Sequence, residues 1–358
     1  MKVGFVGLGK LGKPCSEVAV DKGHDVTGFD SANVRVRKIK VIPNMKEAME
    51  DRDIVFVAVP TPHESEYGGE KPTSHLKSKD FDNSIVKDVL TELNEYMTKD
   101  QLIVLISTVL PCSNDKSLSS IVTNTNYVYS PFFIAQGTVA EDFMNPEMFL
   151  IGTDNNSNTK KLIEFYKTIA DNPRIEVCSF KEAECIKVFY NTYITQKINF
   201  ANMIQDVAEK IDTNSTYICD VLSKCTQRIV SPMYMKPGLG DGGSCHPRDN
   251  IALSFLAENL ELYDMFRETM RIREKQAETL AKAVLEQGSK VAFTSTGFKE
   301  GVDNTDGSYV LLVQHYIEEN GGKIVDIEDC DILFKSWPAD ETPDNTSVFD
   351  VWKKYGKK

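Results

Sequence analysis

KVGFVGLGKLGKPCSEVAVDKGHDVTGFD, residues 2–30, is the stretch of sequence that decides the fold. An apolar β run at 2–7 is followed by a helical pattern at 10–21 and a second β run at 25–30, which together predict a βαβ unit. Further apolar runs, separated by helical patterns such as 85–96, lie at 54–59, 102–106, 127–129 and 148–151. Strands that alternate with helices predict a parallel, doubly wound α/β sheet of the Rossmann type.

The turn after the first strand, GLGKLG, predicts a phosphate-binding loop. Because Gly7, Gly9 and Gly12 lack side chains, the backbone can approach a pyrophosphate that lies at the N-terminus of the following helix. Asp30 ends the second strand about 20 residues further on, where an acid accepts hydrogen bonds from the adenosine ribose, which favours NAD over NADP. The plainer alternative is a tight turn and a surface loop end. The order of strand, loop, helix, strand and acid favours the dinucleotide site.

Composition and charge restrict the class of protein. The chain has 358 residues, which fits two or three domains. A hydrophobic fraction of 41% and a charged fraction of 26% are typical of a globular protein, and the formal net charge of -12 argues against nucleic acid or an anionic membrane as a partner. The sequence shows no apolar run long enough for a membrane span and starts with a strand pattern rather than a signal peptide, so we expect a cytoplasmic protein.

The cysteines predict chemistry at one position. Eight cysteines without a CxxC pair, with five histidines, disfavour a metal site, and most of them should be reduced and buried. Cys245 differs because it follows the glycines of PGLGDGGSCHPRDN, residues 237–250. Pro247 and Asp249 predict a helix start near Pro247, which places Cys245 at its positive end. Such a position lowers the pKa of a thiol, as a covalent nucleophile requires; a buried cysteine beside a turn is the alternative.

A long helix is predicted from Lys181, because about thirty residues there contain neither glycine nor proline. Lys187 and Asn191 are four residues apart, so their side chains lie on one face of this helix. An ammonium and an amide are suitable donors for an oxygen that gains negative charge during hydride transfer. A solvated polar stripe that continues through Thr195 and Asn202 is the alternative that spacing alone favours.

Three domains follow from these patterns: an NAD-binding Rossmann domain at 1–180, a central helical domain with the cysteine loop at 181–287, and a smaller C-terminal α/β domain at 288–358. The central domain combines helical patterns at 217–224 and 251–287 with a glycine-rich loop at 237–243. The last domain has β, α and β patterns at 290–294, 309–319 and 323–327, followed by a surface loop at 338–346.

A family resemblance runs along nearly the whole chain. Its motifs are, in order, GLGKLG with Asp30, VFVAVPTP (55–62), STV (107–109), SPFF through EDFMNP (130–146), ECIKVFYNTY (184–193), GGSCHPRD (242–249) and GFK (297–299). Together they resemble the UDP-glucose and GDP-mannose dehydrogenase family. The resemblance implies a homodimer built on the central helix, and a C-terminal domain for the sugar nucleotide, most simply UDP-glucose. It also implies a role in polysaccharide biosynthesis and oxidation of the sugar C6 hydroxymethyl to a uronate, with two NAD reduced through aldehyde, thiohemiacetal and thioester.

The resemblance also implies roles for individual residues. Cys245 resembles the nucleophile that captures the C6 aldehyde, with Lys187 and Asn191 as its oxyanion partners. Asp249 and Thr108 match the residues that orient the thiol and a water. The implied NAD contacts are Gly7, Gly9, Lys10, Leu11, Gly12, Asp30, Val59, Pro60, Thr61, Ser107 and Thr108. The implied substrate contacts are Phe133, Lys187, Asn191, Arg228, Lys236, Gly242, Gly243 and Lys299, of which Arg228 and Lys236 are as easily explained as solvated side chains.

Departures from the family pattern leave two other functions open. Phe132 and Gln136 replace two glutamates that assist thioester hydrolysis, and neither can act as a general base. The arginine that usually follows Lys299 is absent, with Asp306 and Gly307 near its position. A β-hydroxyacid dehydrogenase, which transfers one hydride without a cysteine, is the first alternative. A protein that binds nucleotide sugar or NAD but has lost catalysis is the second.

Overall fold

The structure of the chain is a computed structural model, and it divides into two compact units. It describes residues 1–62, 77, 80–135, 137–155, 159–231, 238–241, 247, 254 and 257–355. The first unit is Met1–Gln196 and the second is Lys197–Lys358. This division is coarser than the three domains expected from the sequence, and their boundaries stay a prediction.

A mainly parallel sheet organises the first unit. Its strands are Lys2–Val6 (β1), Asp25–Phe29 (β2), Lys40–Val41 (β3), Ile54–Val57 (β4), Leu102–Leu105 (β5), Asn126–Tyr129 (β6), Phe149–Gly152 (β7) and Ile175–Cys178 (β8). They lie in the order β3-β2-β1-β4-β5-β6-β7-β8, and all pairings from β3 to β6 are parallel. The predicted sheet is confirmed. Three features were not predicted. The strands β3 and β8 are additional, and β7 pairs antiparallel with β6 and parallel with β8, so this edge of the sheet is reversed.

Helices cover both faces of that sheet. They are Gly12–Asp21 (α1), Met45–Met49 (α2), Ser84–Tyr96 (α3), Val139–Met144 (α4), Lys160–Ile169 (α5) and the long helix Phe180–Lys210 (α6), which begins in this unit. Phe56 of β4 packs on one face with Phe165, and Val57 packs on the other with Leu90. Burial on both faces explains why the strands read as continuous apolar runs. The predicted long helix is confirmed, from Phe180 rather than Lys181.

A smaller parallel sheet lies in the second unit. Its elements are Ser215–Ser223 (α7), Met265–Leu285 (α8), Lys290–Phe293 (β9), Tyr309–Glu319 (α9), Lys323–Ile324 (β10), Ile332–Lys335 (β11), Val348–Asp350 (β12) and Val351–Tyr355 (α10), with the strand order β10-β9-β11-β12. The predicted β, α, β pattern is confirmed, whereas β11 and β12 were not predicted. The helical stretch predicted over 251–287 is interrupted, because Glu261 has a φ of 57° and the Asp264 carboxylate caps a new helix by accepting from the Arg267 amide.

The cysteines depart from the expectation of burial. Among those in the described residues, all are free and Cys15 is buried, whereas Cys225 is exposed and Cys112, Cys178, Cys185, Cys219 and Cys330 are half-buried. Within the described ranges no cluster of His, Cys, Asp or Glu has the arrangement of a metal site. No helix in that part of the chain is long and apolar enough to cross a membrane.

Candidate active site

The glycine turn between β1 and α1 is built for close backbone packing. Gly7 has a φ of +92°, and a Cβ there would lie 2.6 Å from the carbonyl oxygen of Ala58. A Cβ on Gly12 would lie only 1.9 Å from the Gly7 oxygen. Both positions therefore require glycine for the fold itself. Gly9 is different, since a Cβ there meets nothing within 4 Å, and the open space in front of it fits the predicted pyrophosphate of NAD.

Replacing Gly9 separates ligand binding from folding. We expect Gly9→Ala to weaken NADH binding about tenfold, because the added methyl would occupy the open space before the turn. The midpoint of thermal unfolding should stay within about 2 °C of the wild type. Gly12→Ala is the comparison, and it should lower that midpoint as well. Fluorescence titration with NADH and calorimetry measure both quantities, and wild-type NADH affinity in Gly9→Ala would contradict the assignment.

Asp30 fastens the glycine turn to the end of β2. Its Oδ2 accepts a hydrogen bond from the Leu8 amide at 2.7 Å, and its Oδ1 accepts one from the Ala32 amide at 2.8 Å. The carboxylate also lines an open cavity with Val34, Val36 and other residues that follow β2. A carboxylate oxygen can accept more than one hydrogen bond, so this position fits the adenosine ribose as well. The ribose contact itself stays a prediction.

A cleft of about 210 Å³ opens at the carboxyl ends of β1, β4, β5 and β6. Six residues predicted from the sequence line it together: Lys10, Leu11, Val59, Ser107, Thr108 and Lys187. Phe132, which the sequence placed at the position of a family glutamate, also lines it, whereas the apolar lining by Ala58, Ile106, Ile134 and Val139 was not predicted. Open α/β sheets bind ligands at this edge, so the cleft is the candidate site for the reacting end of the cofactor and substrate.

Two hydroxyl groups hold together the two segments that form one wall of the cleft. The Ser107 hydroxyl donates to the Val59 carbonyl at 2.5 Å, and the Thr61 hydroxyl donates to the Thr108 carbonyl at 2.8 Å. These bonds tie the segment after β4 to the segment after β5. Pro60, between the two tied residues of the first segment, is exposed. The predicted NAD contacts in these segments therefore form one connected surface.

Lys187 is a buried amine beside the cleft. Its side chain is 8% exposed, its Nζ donates to the Phe132 carbonyl at 2.8 Å, and the ammonium lies 5.1 Å from the centroid of the Phe133 ring. Burial lowers the pKa of this ammonium below its ordinary value. The alternative of a solvated polar stripe is therefore wrong for Lys187, whereas Asn191, one turn further on, is exposed. A desolvated donor at a cleft is suited to stabilise an oxyanion.

The two phenylalanines after β6 have different surroundings. Phe132 belongs to the core, where its ring lies 5.1 Å from the Phe143 ring, and it contributes only its backbone carbonyl to Lys187. Phe133, a predicted substrate contact, lies between the Lys187 ammonium and the Tyr190 ring, with a ring separation of 4.8 Å to the latter. The side chain at position 132 is therefore a buried aromatic ring and not a carboxylate.

The second unit contains the other predicted substrate contacts that the structure describes. Arg228 follows α7 and Lys299 follows β9, and both are exposed. Residues Gln136, Lys236, Gly242, Gly243, Cys245 and Asp249 lie outside the described residues. Within this unit a different arginine lies near the position of the missing one: Arg273 of α8 places Nη2 3.4 Å from the Gly307 carbonyl and Nε 2.6 Å from Asp241. This ion pair connects Asp241, which directly precedes Gly242 in the sequence, to α8.

Comparison with known proteins gives a consistent result. The model of the UDP-glucose/GDP-mannose dehydrogenase family, NAD binding domain, matches residues 38–170, and the model of the same family's central domain matches residues 181–274. UDP-glucose 6-dehydrogenase of Rickettsia felis is 26% identical over 87% of the chain and 75% of its own length. GDP-mannose 6-dehydrogenase of Pseudomonas aeruginosa is 26% identical over 85% of the chain and 76% of its own length. The crystal structure of a ternary complex of GDP-mannose dehydrogenase from Pseudomonas aeruginosa has the same fold, with a TM-score of 0.86 and 20% identity over 98% of this chain and 96% of that one.

Proposed function

Because the chain belongs to the UDP-glucose/GDP-mannose dehydrogenase family and its cofactor is NAD, we propose that it oxidises the C6 hydroxymethyl of a nucleotide sugar, most simply UDP-glucose, to the uronate. One observation carries the proposal: the buried Lys187 amine lines the cleft directly beyond the glycine turn. An amine there is positioned to stabilise charge on a sugar oxygen. NAD, when bound at the glycine turn, would supply the hydride acceptor for each of the two oxidations.

Lys187 and Asn191 act on the oxygen at C6. The Lys187 ammonium donates to the alkoxide as the alcohol becomes an aldehyde, and again to the oxyanion of the thiohemiacetal. Its contact with the Phe132 carbonyl orients Nζ toward the cleft that it lines. Asn191 adds an amide donor from the same helix. Donors held in place before the reaction need no reorganisation during it, which is the main source of their effect.

Cys245 forms the covalent intermediates. Its thiolate adds to the C6 aldehyde, and oxidation of the resulting thiohemiacetal gives a thioester that water converts to the uronate and the free thiol. Asp249 orients the thiol, and Thr108 orients the water. With Phe132 buried in the core, hydrolysis relies on Thr108 and on the oxyanion donors rather than on a carboxylate at that position.

Basic side chains of the second unit supply the diphosphate contacts. Arg228 and Lys299 are exposed cations in a chain of net charge -12, so they provide local attraction for an anionic substrate. Lys236, Gly242 and Gly243 complete this part of the substrate site, and Phe133 contacts the sugar.

A substrate panel tests the proposed function. The protein is incubated with NAD and a series of UDP- and GDP-sugars, and the NADH formed is counted against the sugar consumed. We expect about two NADH per sugar, one for each oxidation. One NADH per turnover with a small hydroxy acid would instead indicate a β-hydroxyacid dehydrogenase. Tight binding of a nucleotide sugar without NADH formation would indicate the binding protein, a function that the buried Phe132 favours as the second candidate.

A homodimer forms through the exposed face of α6. Ile186, Phe189 and Tyr193 lie on one side of the helix, at spacings of three and four residues, and are 37%, 66% and 49% exposed. Three large apolar side chains in a row on one helix are typical of a surface that another protein covers. A second copy of the chain is the proposed occupant, in keeping with the dimerising helix that the family resemblance implies.

Phe189→Glu tests the dimer. At micromolar concentration, the molar mass measured by light scattering should change from that of a dimer to that of a monomer. The reason is that burial of an unpaired carboxylate at the centre of this face costs about 3 kcal/mol or more. Ile85→Glu on α3 is the control, with an apolar side chain that is 37% exposed and lies on another helix. A dimer that persists in Phe189→Glu would place the interface elsewhere.

A further inference from the structure

A buried carboxylate lies one turn before the cleft amine. Glu184 is 0% exposed, and its Oε2 accepts a hydrogen bond from the Cys112 amide at 2.6 Å. Its Oε1 accepts from the Asn114 backbone amide at 2.7 Å and from the Asn114 side-chain amide at 2.8 Å. The Asn114 oxygen in turn accepts from the Tyr127 hydroxyl at 2.5 Å. A carboxylate is tolerated in a protein interior when donors surround it in this way.

These bonds connect two parts of the candidate active site. The segment that follows β5 begins with Ser107 and Thr108, which line the cleft, and ends at Cys112 and Asn114. Cys112 has a φ of +74°, and this left-handed backbone accompanies the approach of two amides to the one carboxylate of Glu184. Non-glycine residues adopt this conformation at an energetic cost, so surrounding contacts must maintain it.

The carboxylate serves this segment rather than the amine on its own helix. Lys187 follows Glu184 by one turn of α6, but its Nζ donates to the Phe132 carbonyl. Burial lowers the pKa of the Lys187 ammonium. The two side chains thus have separate tasks: the amine lines the cleft, and the carboxylate fastens the segment that begins with Ser107 and Thr108 to α6.

We propose that Glu184 is a positioning residue that sets the distance between the Lys187 amine and the Ser107–Thr108 wall of the cleft. Through that wall it controls both NADH affinity and the rate of oxidation. The rate depends on the proposed function, whereas NADH affinity does not. In Glu184→Gln, the new amide N–H faces a backbone N–H of Cys112 or Asn114, so one hydrogen bond becomes a repulsion and the wall shifts.

The test compares Glu184→Gln with Glu182→Gln. Glu182 is an exposed carboxylate two residues earlier on α6, and it accepts hydrogen bonds from the Ser179 amide at 2.9 Å and from the Ser179 hydroxyl at 2.7 Å. Glu184→Gln should raise the NADH dissociation constant about tenfold and lower kcat by a similar factor, measured well below its unfolding temperature. The KM for the nucleotide sugar should change less. Glu182→Gln should leave all three within about twofold, even though it weakens the helix cap.

Each outcome decides the proposal. A folded Glu184→Gln with wild-type NADH affinity overturns it, whatever its unfolding temperature, because the carboxylate would then only stabilise the fold. If the wild type forms no NADH with any nucleotide sugar, the proposed function fails, and NADH affinity alone decides the role of Glu184. Should Glu184→Gln not fold, Tyr127→Phe removes only the hydroxyl that steadies Asn114. A two- to threefold loss of NADH affinity in that variant, roughly 0.5 kcal/mol, supports the proposal, and an unchanged affinity overturns it.

Discussion

Lys187→Met is expected to lower kcat for NADH formation about a thousandfold, which corresponds to about 4 kcal/mol of transition-state stabilisation. The ammonium is 8% exposed, so little water competes for the sugar oxygen or screens the charge. Methionine keeps a long apolar side chain in the same space, and the contact with the Phe133 ring is retained as packing. The fold should therefore survive while the donor is lost. Steady-state kinetics with the substrate identified in the panel measures the change.

The pH dependence gives the same prediction a second readout. Because burial lowers the pKa of Lys187, the ammonium loses its proton at a lower pH than an exposed lysine does. The rate should fall as the pH rises through this lowered pKa, and Lys187→Arg should move the fall to higher pH because guanidinium stays protonated. The free energy of unfolding changes with pH in the opposite direction. Because Lys187 binds its proton more tightly in the unfolded chain, stability rises with pH between the folded-state and the unfolded-state pKa of Lys187, and Lys187→Met should remove that rise.

A control on the same helix completes this experiment. Lys181 is exposed and pairs with Asp115 at 2.6 Å, on the surface of the first unit. Lys181→Met should keep a kcat near that of the wild type, since an exposed ion pair contributes little. A wild-type rate in Lys187→Met would remove the amine from the mechanism and favour the binding protein or another donor.

Features that depend on neighbouring residues were predictable from the sequence. The requirement for glycine at position 12 is such a feature, because a Cβ there would meet the Gly7 carbonyl oxygen of the same turn. The requirement at Gly7 also comes from Ala58, which follows β4 and is distant in the sequence. Strand, loop and helix follow one another within thirty residues or so, and the apolar pattern of buried parallel strands is continuous. The parallel pairing of these strands follows from the alternation of strands and helices, whereas their order in the sheet was not predicted.

Features that depend on distant residues were not predictable. The spacing of Lys187 and Asn191 predicted a shared face but not that Lys187 is buried, which depends on the Phe132 carbonyl and the Phe133 ring contributed by another element. Glu184 in ECIKVFYNTY is, by residue type, expected at the surface, and only the amides of Cys112 and Asn114 explain its burial. No local signal encodes such a partner.

Short and half-exposed elements were not predicted, for a different reason. β8 has the sequence IEVC with no buried position in its four residues, so its pattern differs little from that of a loop. The arginine beside Gly307 was not predicted either, because Arg273 lies on α8, distant from Gly307 in the sequence. The sequence shows that the family arginine is absent near Gly307. That another cation lies there depends on how α8 packs within the second unit.

Cys245→Ala is expected to lower uronate formation on the order of ten-thousandfold, the largest effect of any single change. The aldehyde carbon can transfer its hydrogen as a hydride only after a nucleophile has added to it. The second oxidation therefore requires the thiohemiacetal. Alanine leaves only water for that addition, and water is the weaker nucleophile at neutral pH. The products should change from two NADH per sugar to one at most, with an aldehyde in place of the uronate. Mass spectrometry of the products and NADH counting measure both.

Trapping and a matched cysteine distinguish covalent catalysis from a general effect of substitution. Cys245→Ser should accumulate an acyl-enzyme, because an ester hydrolyses more slowly than a thioester. The mass added to the protein should equal that of the uronate minus one water. Cys225→Ala is the control, since Cys225 is an exposed free cysteine in the same unit and its loss should leave the rate unchanged. Uronate formed at the wild-type rate by Cys245→Ala would exclude the thioester, and a mechanism that relies on the Lys187 amine alone would then have to account for both oxidations.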